Sequence, residues 1–199
     1  MAKEIWKPGT MVYPVPAVMV TVSDREGHDN IITIAWTGTV CSDPAMTYIS
    51  VRKSRYSYRM IEETGEFVIN LTTKKLARAT DYCGVRSGRD VDKFAETGLA
   101  RAPASRVNVP LIAESPVNIE CKVTQKLELG THDMFLAEVL AVQADTAYMN
   151  DTGRFELHKA QPIAYSHGGY YGLGELLGTF GYSVKKPPGK NPRQKKHHS

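Results

Sequence analysis

Three short β-branched runs lie within the first 51 residues, and they constrain the fold more than any other feature. Residues 17–23 read Ala-Val-Met-Val-Thr-Val-Ser and end at Asp24-Arg-Glu-Gly27, a turn signal. A second strand is expected over 31–36. Asp43-Pro44 marks another turn, and 46–51 alternates as a half-buried strand does. Connections this short leave no room for a crossover helix, so a parallel sheet is excluded here and an antiparallel meander or barrel is expected.

The rest of the chain fits one domain. A helix is predicted over 56–64, with Ser54 or Ser57 as N-cap, Met60 and Ile61 on its buried stripe and Gly65 as its stop. A strand follows over 66–71. Further helices are predicted over 74–82, stopped by Gly84, and over 91–97, ended by Gly98. A hairpin pairs 116–127 with 134–142 through the turn 130–133, and a final strand covers 163–166. Glycines 168, 169, 172 and 174 then interleave with Tyr170 and Tyr171. With 199 residues, 42% hydrophobic and 23% charged, the chain has the length and composition of one mainly β globular domain. We expect a closed antiparallel barrel with a few short helices over 1–184.

Charge is unevenly placed. Residues 185–199 hold six Lys or Arg and no acid, leaving 19 basic residues against 21 acidic ones before them. This end reads as a disordered, solubilising tail rather than a nucleic-acid contact. An acidic partner for it defines a third functional class, a binding protein without redox turnover. The terminal His197-His198-Ser199 has no assigned role. No apolar run approaches the roughly 18 residues of a membrane helix, and Met-Ala-Lys-Glu-Ile-Trp has no secretory h-region, so a cytoplasmic location is expected. Cys41, Cys83 and Cys121 form no CxxC pair; they read as reduced thiols, and Cys41 and Cys83 fall in loops within reach of a ligand. His28, His158 and His167 have no ligand spacing, so no metal is expected.

The site is sought in two stretches. Asn30 to Thr39 runs a strand into hydroxyls and small residues beside Trp36. Such a strand end exposes backbone N–H groups next to a flat apolar face. Trp36 either stacks on a ring or belongs to the core, with Thr37 and Thr39 as turn residues. Arg52-Lys-Ser-Arg-Tyr-Ser57 crowds cations and hydroxyls before a helix start, where free N–H groups and the dipole favour an anion. Alternation points Arg52 and Ser54 one way and Lys53 the other. The alternative is a solvated basic edge with an ordinary cap. No Walker A or G-x-G-x-x-G loop is present. One strand separates the stretches, so ring and phosphate contacts fall within reach of one ligand. His132 sits in a turn, where it either donates to such a ligand or bonds locally, and His167-Gly168-Gly169-Tyr170 either lines the pocket mouth or forms a tight turn.

Several motifs occur in order: Asn30 with Thr33-Ile-Ala-Trp36, Asp43-Pro44, Arg55-Tyr-Ser57, Gly65-Glu-Phe67 with Asn70, Lys93-Phe94 with Gly98-Leu99, and Gly130-Thr-His132 with Glu138-Val139. Over roughly residues 13–174 the chain resembles the flavin reductase-like family, the FMN-binding split barrels that include flavoredoxins. The resemblance implies a split β-barrel, a homodimer with flavin near the subunit interface, and noncovalent FMN. It assigns ring contacts to Trp36, Thr37 and Thr39 and phosphate contacts to Arg52, Ser54 and Ser57. Asn30, Thr33, Ala35, Lys53 and His132 complete the expected contacts, and a loop with Cys83, Gly84, Ser87 and Gly88 would close over the flavin. Trp36 and the Tyr/Gly-rich C-terminal segment look closer to members that retain FMN than to those that release it. The implied activity takes a hydride from NAD(P)H and passes electrons onward. The alternative is a flavoredoxin-like carrier reduced by a protein partner, without a nicotinamide site. No Ser-His-Asp order is present, and hydride transfer requires no acid or base from the protein.

Overall fold

The computed structural model describes residues 1–185, so the basic tail beyond Lys185 lies outside the described residues. In chain order the strands are β1 (Val15–Pro16), β2 (Val18–Ser23), β3 (Asp29–Ile34), β4 (Thr37–Ser42) and β5 (Ala45–Val51), then β6 (Glu66–Leu71), β7 (Arg101–Ala102) and β8 (Leu111–Ile112). Two long strands, β9 (Val117–Glu128) and β10 (Asp133–Ala144), are followed by β11 (Ile163–Ser166) and β12 (Gly169–Gly172). The α-helices are α1 (Tyr56–Thr64), α2 (Ala77–Val85) and α3 (Lys93–Thr97).

Seven strands form one antiparallel sheet in the order β3-β2-β6-β9-β10-β5-β4. It curls around a core of Val18, Val20, Ile32, Ile49, Phe67, Ile69 and Phe135, with Tyr58, Met60 and Ile61 of α1 packed into it. Every residue of β2 is buried because both faces are covered. Val18, Val20 and Val22 point into the barrel. Met19 lies beneath Leu76, Cys83 of α2 and Phe94 of α3, and Thr21 Oγ1 donates to the Pro110 carbonyl at 2.6 Å.

The barrel is split rather than closed: β3 and β4 are both edges of the sheet. The chain crosses the seam at Ala35-Trp36, where the Trp36 carbonyl accepts from Ser50 N at 2.9 Å. The expected strand 31–36 therefore ends at Ile34, and the expected loop at Thr37 and Thr39 is β4, paired with β5. The first three expected strands are no simple meander, because β3 and β5 lie at different ends of the strand order.

Helix α1 has the expected bounds and ends at Gly65 in the left-handed conformation, φ 68°. Its N-cap is Arg55, without a side-chain cap bond, and not Ser54 or Ser57. The predicted helix 74–82 begins as a 3-10 turn, Lys74–Leu76, and α2 runs through Gly84 instead of stopping there. A Cβ at Gly84 would meet Thr33 Cβ at 3.2 Å, so this glycine lets α2 lie against β3. Asp92 caps α3 by accepting from Phe94 N and Ala95 N, which places its start at Lys93 rather than 91. The glycine–tyrosine segment contains an unforeseen strand, β12, joined to β11 by His167 and Gly168, both at positive φ. A two-residue hairpin turn of type I′ requires that conformation at both positions.

Exposed apolar side chains concentrate at the two ends of the described chain: Ile5, Trp6, Met11 and Val12 before β1, and Leu173, Leu176, Leu177 and Phe180 after β12. No helix of the described residues is long and apolar enough to cross a membrane.

Candidate functional site

Two adjoining cavities open along the seam. The larger, about 390 Å³, lies between the β3–Trp36 crossing, the end of β5, α2 and the β11–β12 hairpin. Thr33, Ala35, Trp36, Arg52, Gly84 and His132 line it, all predicted from sequence. The smaller, about 170 Å³, lies at the start of α1 and takes in Asn30, Ser54, Ser57, Cys83, Ser87 and Gly88, the other predicted residues that the structure brings together. Ile32, Arg55 and Gly84 line both cavities, so the two form one continuous space.

The smaller cavity gathers groups able to bind an anion. Buried Asn30 donates from Nδ2 to Ser57 Oγ at 2.8 Å, which leaves the Ser57 hydroxyl proton free to donate into the cavity. At the start of α1, Tyr58 N already donates to the Arg55 carbonyl at 3.0 Å, which leaves the N–H groups of Tyr56 and Ser57 without an intrahelical acceptor. Gly88 holds the following loop hard against Asn30, since a Cβ there would fall 2.3 Å from Asn30 Oδ1. Lys93, 4% exposed, reaches the cavity wall from α3. Its Nζ donates to the Ile31 and Cys83 carbonyls at 2.6 and 2.8 Å. Among the described residues no carboxylate lies within ion-pairing distance of it, or of Arg52, Arg55 or Arg86. Burial, opposed by the Cys83 thiol and reinforced by the Arg55 charge, pulls the Lys93 ammonium down to about 8. A buried cation whose partners are neutral carbonyls is short of an anion, and a phosphate would supply it.

The larger cavity suits a flat ring. Ala35 and Trp36 line it together with Tyr13, Tyr165 and Tyr170. Burial and the charges of Arg52 and Arg55 lower the His132 pKa, which keeps the imidazole neutral at pH 7. Its Nδ1 pairs with Thr131 Oγ1 at 2.9 Å, the local turn contact, while the residue still lines the cavity.

Three predicted residues lie elsewhere. Thr37 is buried and its hydroxyl donates to the Tyr48 carbonyl at 2.6 Å. Thr39 is exposed on β4, opposite Thr47. Lys53 turns away to Asp133 and Glu128, 3.5 and 3.6 Å from their carboxylates. Cys83 is 1% exposed, and burial pushes its thiol up to about 11, so it is not poised for thiolate chemistry. Sequence reasoning did not place Lys93, Tyr13, Asp81 or Tyr165 in the site, whereas of the His167–Tyr170 segment, open to either reading, Gly168 and Tyr170 do line the larger cavity. The Lys93-Phe94 pair was the only local signal among them.

Comparison with known proteins bears on the family and the fold. Residues 10–174 match the flavin reductase like domain, and the chain belongs to that family. The flavoredoxin of Desulfovibrio vulgaris (Miyazaki F) superposes with a TM-score of 0.85 at 34% identity, covering 92% of this chain and all of that one. A flavoredoxin from Methanosarcina acetivorans gives 0.82 at 27% identity, again over 92% of this chain and 100% of the other. An uncharacterised protein of Archaeoglobus fulgidus is 31% identical over 69% of this chain and 76% of its own length.

Proposed function

We propose that this protein is an oxidoreductase that holds FMN noncovalently, oxidises NAD(P)H to NAD(P)+ and delivers the electrons to an acceptor. The continuity of the two cavities is the observation that carries this reading. The small cavity would take the phosphate at Ser57, Arg55, Lys93 and the α1 N-terminus; the large one would take the ring between Trp36 and His132. FMN, when bound, supplies the two-electron chemistry. The chain's own contribution is to bind, orient and exclude water. Trp36 and the tyrosines cover the ring's surroundings, and neutral His132 is able to donate a hydrogen bond into the cavity without adding charge.

The likeness to flavoredoxins supports a second reading, a flavin-carrying electron-transfer protein that is reduced by a protein partner. We also propose a homodimer, because the exposed apolar side chains of both chain ends offer a surface for a second copy. The deciding experiment is FMN uptake through gel filtration, followed by anaerobic addition of NADH or NADPH. Rapid bleaching of the flavin bands supports the enzyme. Bound flavin that does not bleach supports the carrier, and failure to take up FMN removes both.

A further inference from the structure

Three cavity-lining residues come from three separate segments: Arg52 from just past β5, Ser57 from the start of α1 and His132 from the β9–β10 turn. The residue after each of them lines neither cavity. Those three, Lys53, Tyr58 and Asp133, meet one another. The Tyr58 phenol donates to Asp133 Oδ2 at 2.6 Å, and Lys53 Nζ lies 3.5 Å from the same oxygen. Asp133 is fully buried, and its other oxygen, Oδ1, has no hydrogen-bond partner among the described residues. Tyr58 is buried too and meets Phe135 edge-on at 5.4 Å. Burial first, and then the Asp133 bond, push the phenol up to about 12, so it remains the donor.

Stability alone does not call for this arrangement. A buried carboxylate with a bare oxygen loses hydration that one phenol and one half-exposed lysine only partly replace, and a well-packed apolar cluster is commonly as stable. The bond does have a geometric consequence. Helix α1 lies outside the sheet, and its start has no side-chain cap. Among the described residues two side-chain hydrogen bonds hold its first turn to the barrel: Asn30 to Ser57 from β3, and Tyr58 to Asp133 of β10. Backbone bonds carry the second tie onward, because Tyr58 N donates to the Arg55 carbonyl and Arg55 N to the Arg52 carbonyl, both at 3.0 Å. On the sheet, Asp133 pairs with Val51 of β5, next to Arg52. We infer that Asp133 is a positioning residue: by holding Tyr58 and Lys53 it fixes Arg52, Arg55 and Ser57 in relation to His132 before a ligand arrives. The inference rests on the proposed function only for the identity of that ligand.

Tyr58→Phe deletes the phenol oxygen, keeps the ring and changes no charge at pH 7. The first readout is the titration of His132, followed by NMR in the empty protein. Burial and the cations of Arg52 and Arg55 hold its pKa below the ordinary 6.5; Asp133 adjoins it in sequence, and Asp81 lines the same cavity. Release of α1 lets Arg55 drift from His132, and the His132 pKa rises towards 6.5. The second readout is flavin titration. FMN, which in the proposed pose spans both cavities, weakens by about tenfold, and riboflavin, which lacks the phosphate, by about threefold or less. Asp133→Asn keeps an acceptor for Tyr58 and so retains FMN better than Asp133→Ala does. Asp133→Ala combined with Tyr58→Phe loses no more than Asp133→Ala alone, because both act through one bond. A Tyr58→Phe protein that melts lower but keeps the parent's His132 titration and flavin affinities overturns the inference, since the bond would then hold only the barrel. Equal losses of FMN and riboflavin also overturn it, because general loosening does the same. A protein that takes up no flavin refutes the flavin reading alone: the His132 titration in the empty protein still decides the tie.

Discussion

If FMN binds as proposed, its affinity should fall by about tenfold between pH 7 and pH 9, while the affinity for riboflavin should not. Lys93 is the reason. Its ammonium titrates near 8 in the folded protein, against an ordinary value of 10.5. At pH 7 about nine sites in ten hold the cation, and at pH 9 about one in ten does. A phosphate monoester has its second pKa near 6, so the ligand's own charge is nearly constant over this range. The charged groups facing Lys93 are the Arg55 guanidinium and the Cys83 thiol, the latter pushed up to about 11, and neither changes charge between pH 7 and 9. Flavin fluorescence titrations at pH 7, 8 and 9, run with both ligands, test this directly. FMN binding at pH 8.5 also takes up protons, visible as a buffer-dependent heat. Lys93→Met weakens FMN by about 10- to 100-fold at pH 7, the worth of a charge-assisted hydrogen bond of about 1.5–3 kcal/mol, and flattens the pH profile. Without ligand the sign reverses. The unfolded chain binds the extra proton between pH 8 and 10.5, so stability rises with pH through that window, by on the order of 3 kcal/mol. Parallel pH profiles for FMN and riboflavin in the parent protein would refute the reasoning, whatever the variant does.

Three further outcomes are expected. Gly88→Ala drives a Cβ to 2.3 Å from Asn30 Oδ1; overpacking of about 1–3 kcal/mol falls on the cavity wall, and FMN titration should show at least tenfold weaker binding. Trp36→Ala should shift the visible bands of bound flavin, and an unchanged spectrum and affinity would return Trp36 to a packing role. Buried Glu120 accepts from Ser105 N and Oγ, Arg106 N and Gln143 Nε2. Burial alone would raise its carboxyl, but these bonds hold it below the usual range. Its stabilisation is present above about pH 4.3 and lost as pH falls further. Glu120→Gln should remove that acid slope in urea melts between pH 3 and 7.

The legible part of the site is the part made by local chemistry. Ser54 and Ser57 lie within four residues around one helix start and both reach the small cavity, whereas Arg52, expected beside them at the phosphate, lines the larger cavity, and Lys53, also expected as a contact, pairs with Asp133 and Glu128, the direction strand alternation had pointed it. Thr37 and Thr39 misled because a run of small hydroxyl residues reads equally as a ligand loop or an edge strand. Nothing local distinguishes the two until β5 is seen to pair there. Lys93 was out of reach for a different reason. Its bonds join it to Ile31, 62 positions away, and only the packing of α3 on β3 makes a lysine at that place buried. A buried cation is a tertiary fact, whereas an N-terminal anion site is a sequence one.

The split in the barrel explains why these parts meet. A fully closed barrel pairs every strand with its neighbours, which leaves a ring no gap between strands. Here β3 and β4 stay unpaired with one another, and the crossing at Ala35-Trp36 is tied to β5 by one bond from Ser50. The open edge leaves backbone groups beside a cleft rather than inside a ladder. Helix α2 then leans on Thr33 through Gly84, bringing Cys83 and Asp81 to opposite ends of the same space. Strengthening the seam would therefore compete with ligand binding. The edge costs sheet hydrogen bonds, and the ligand that fills the cleft offsets part of that loss. The flavin-loaded protein should accordingly melt higher than the empty one, by a margin that grows with ligand concentration.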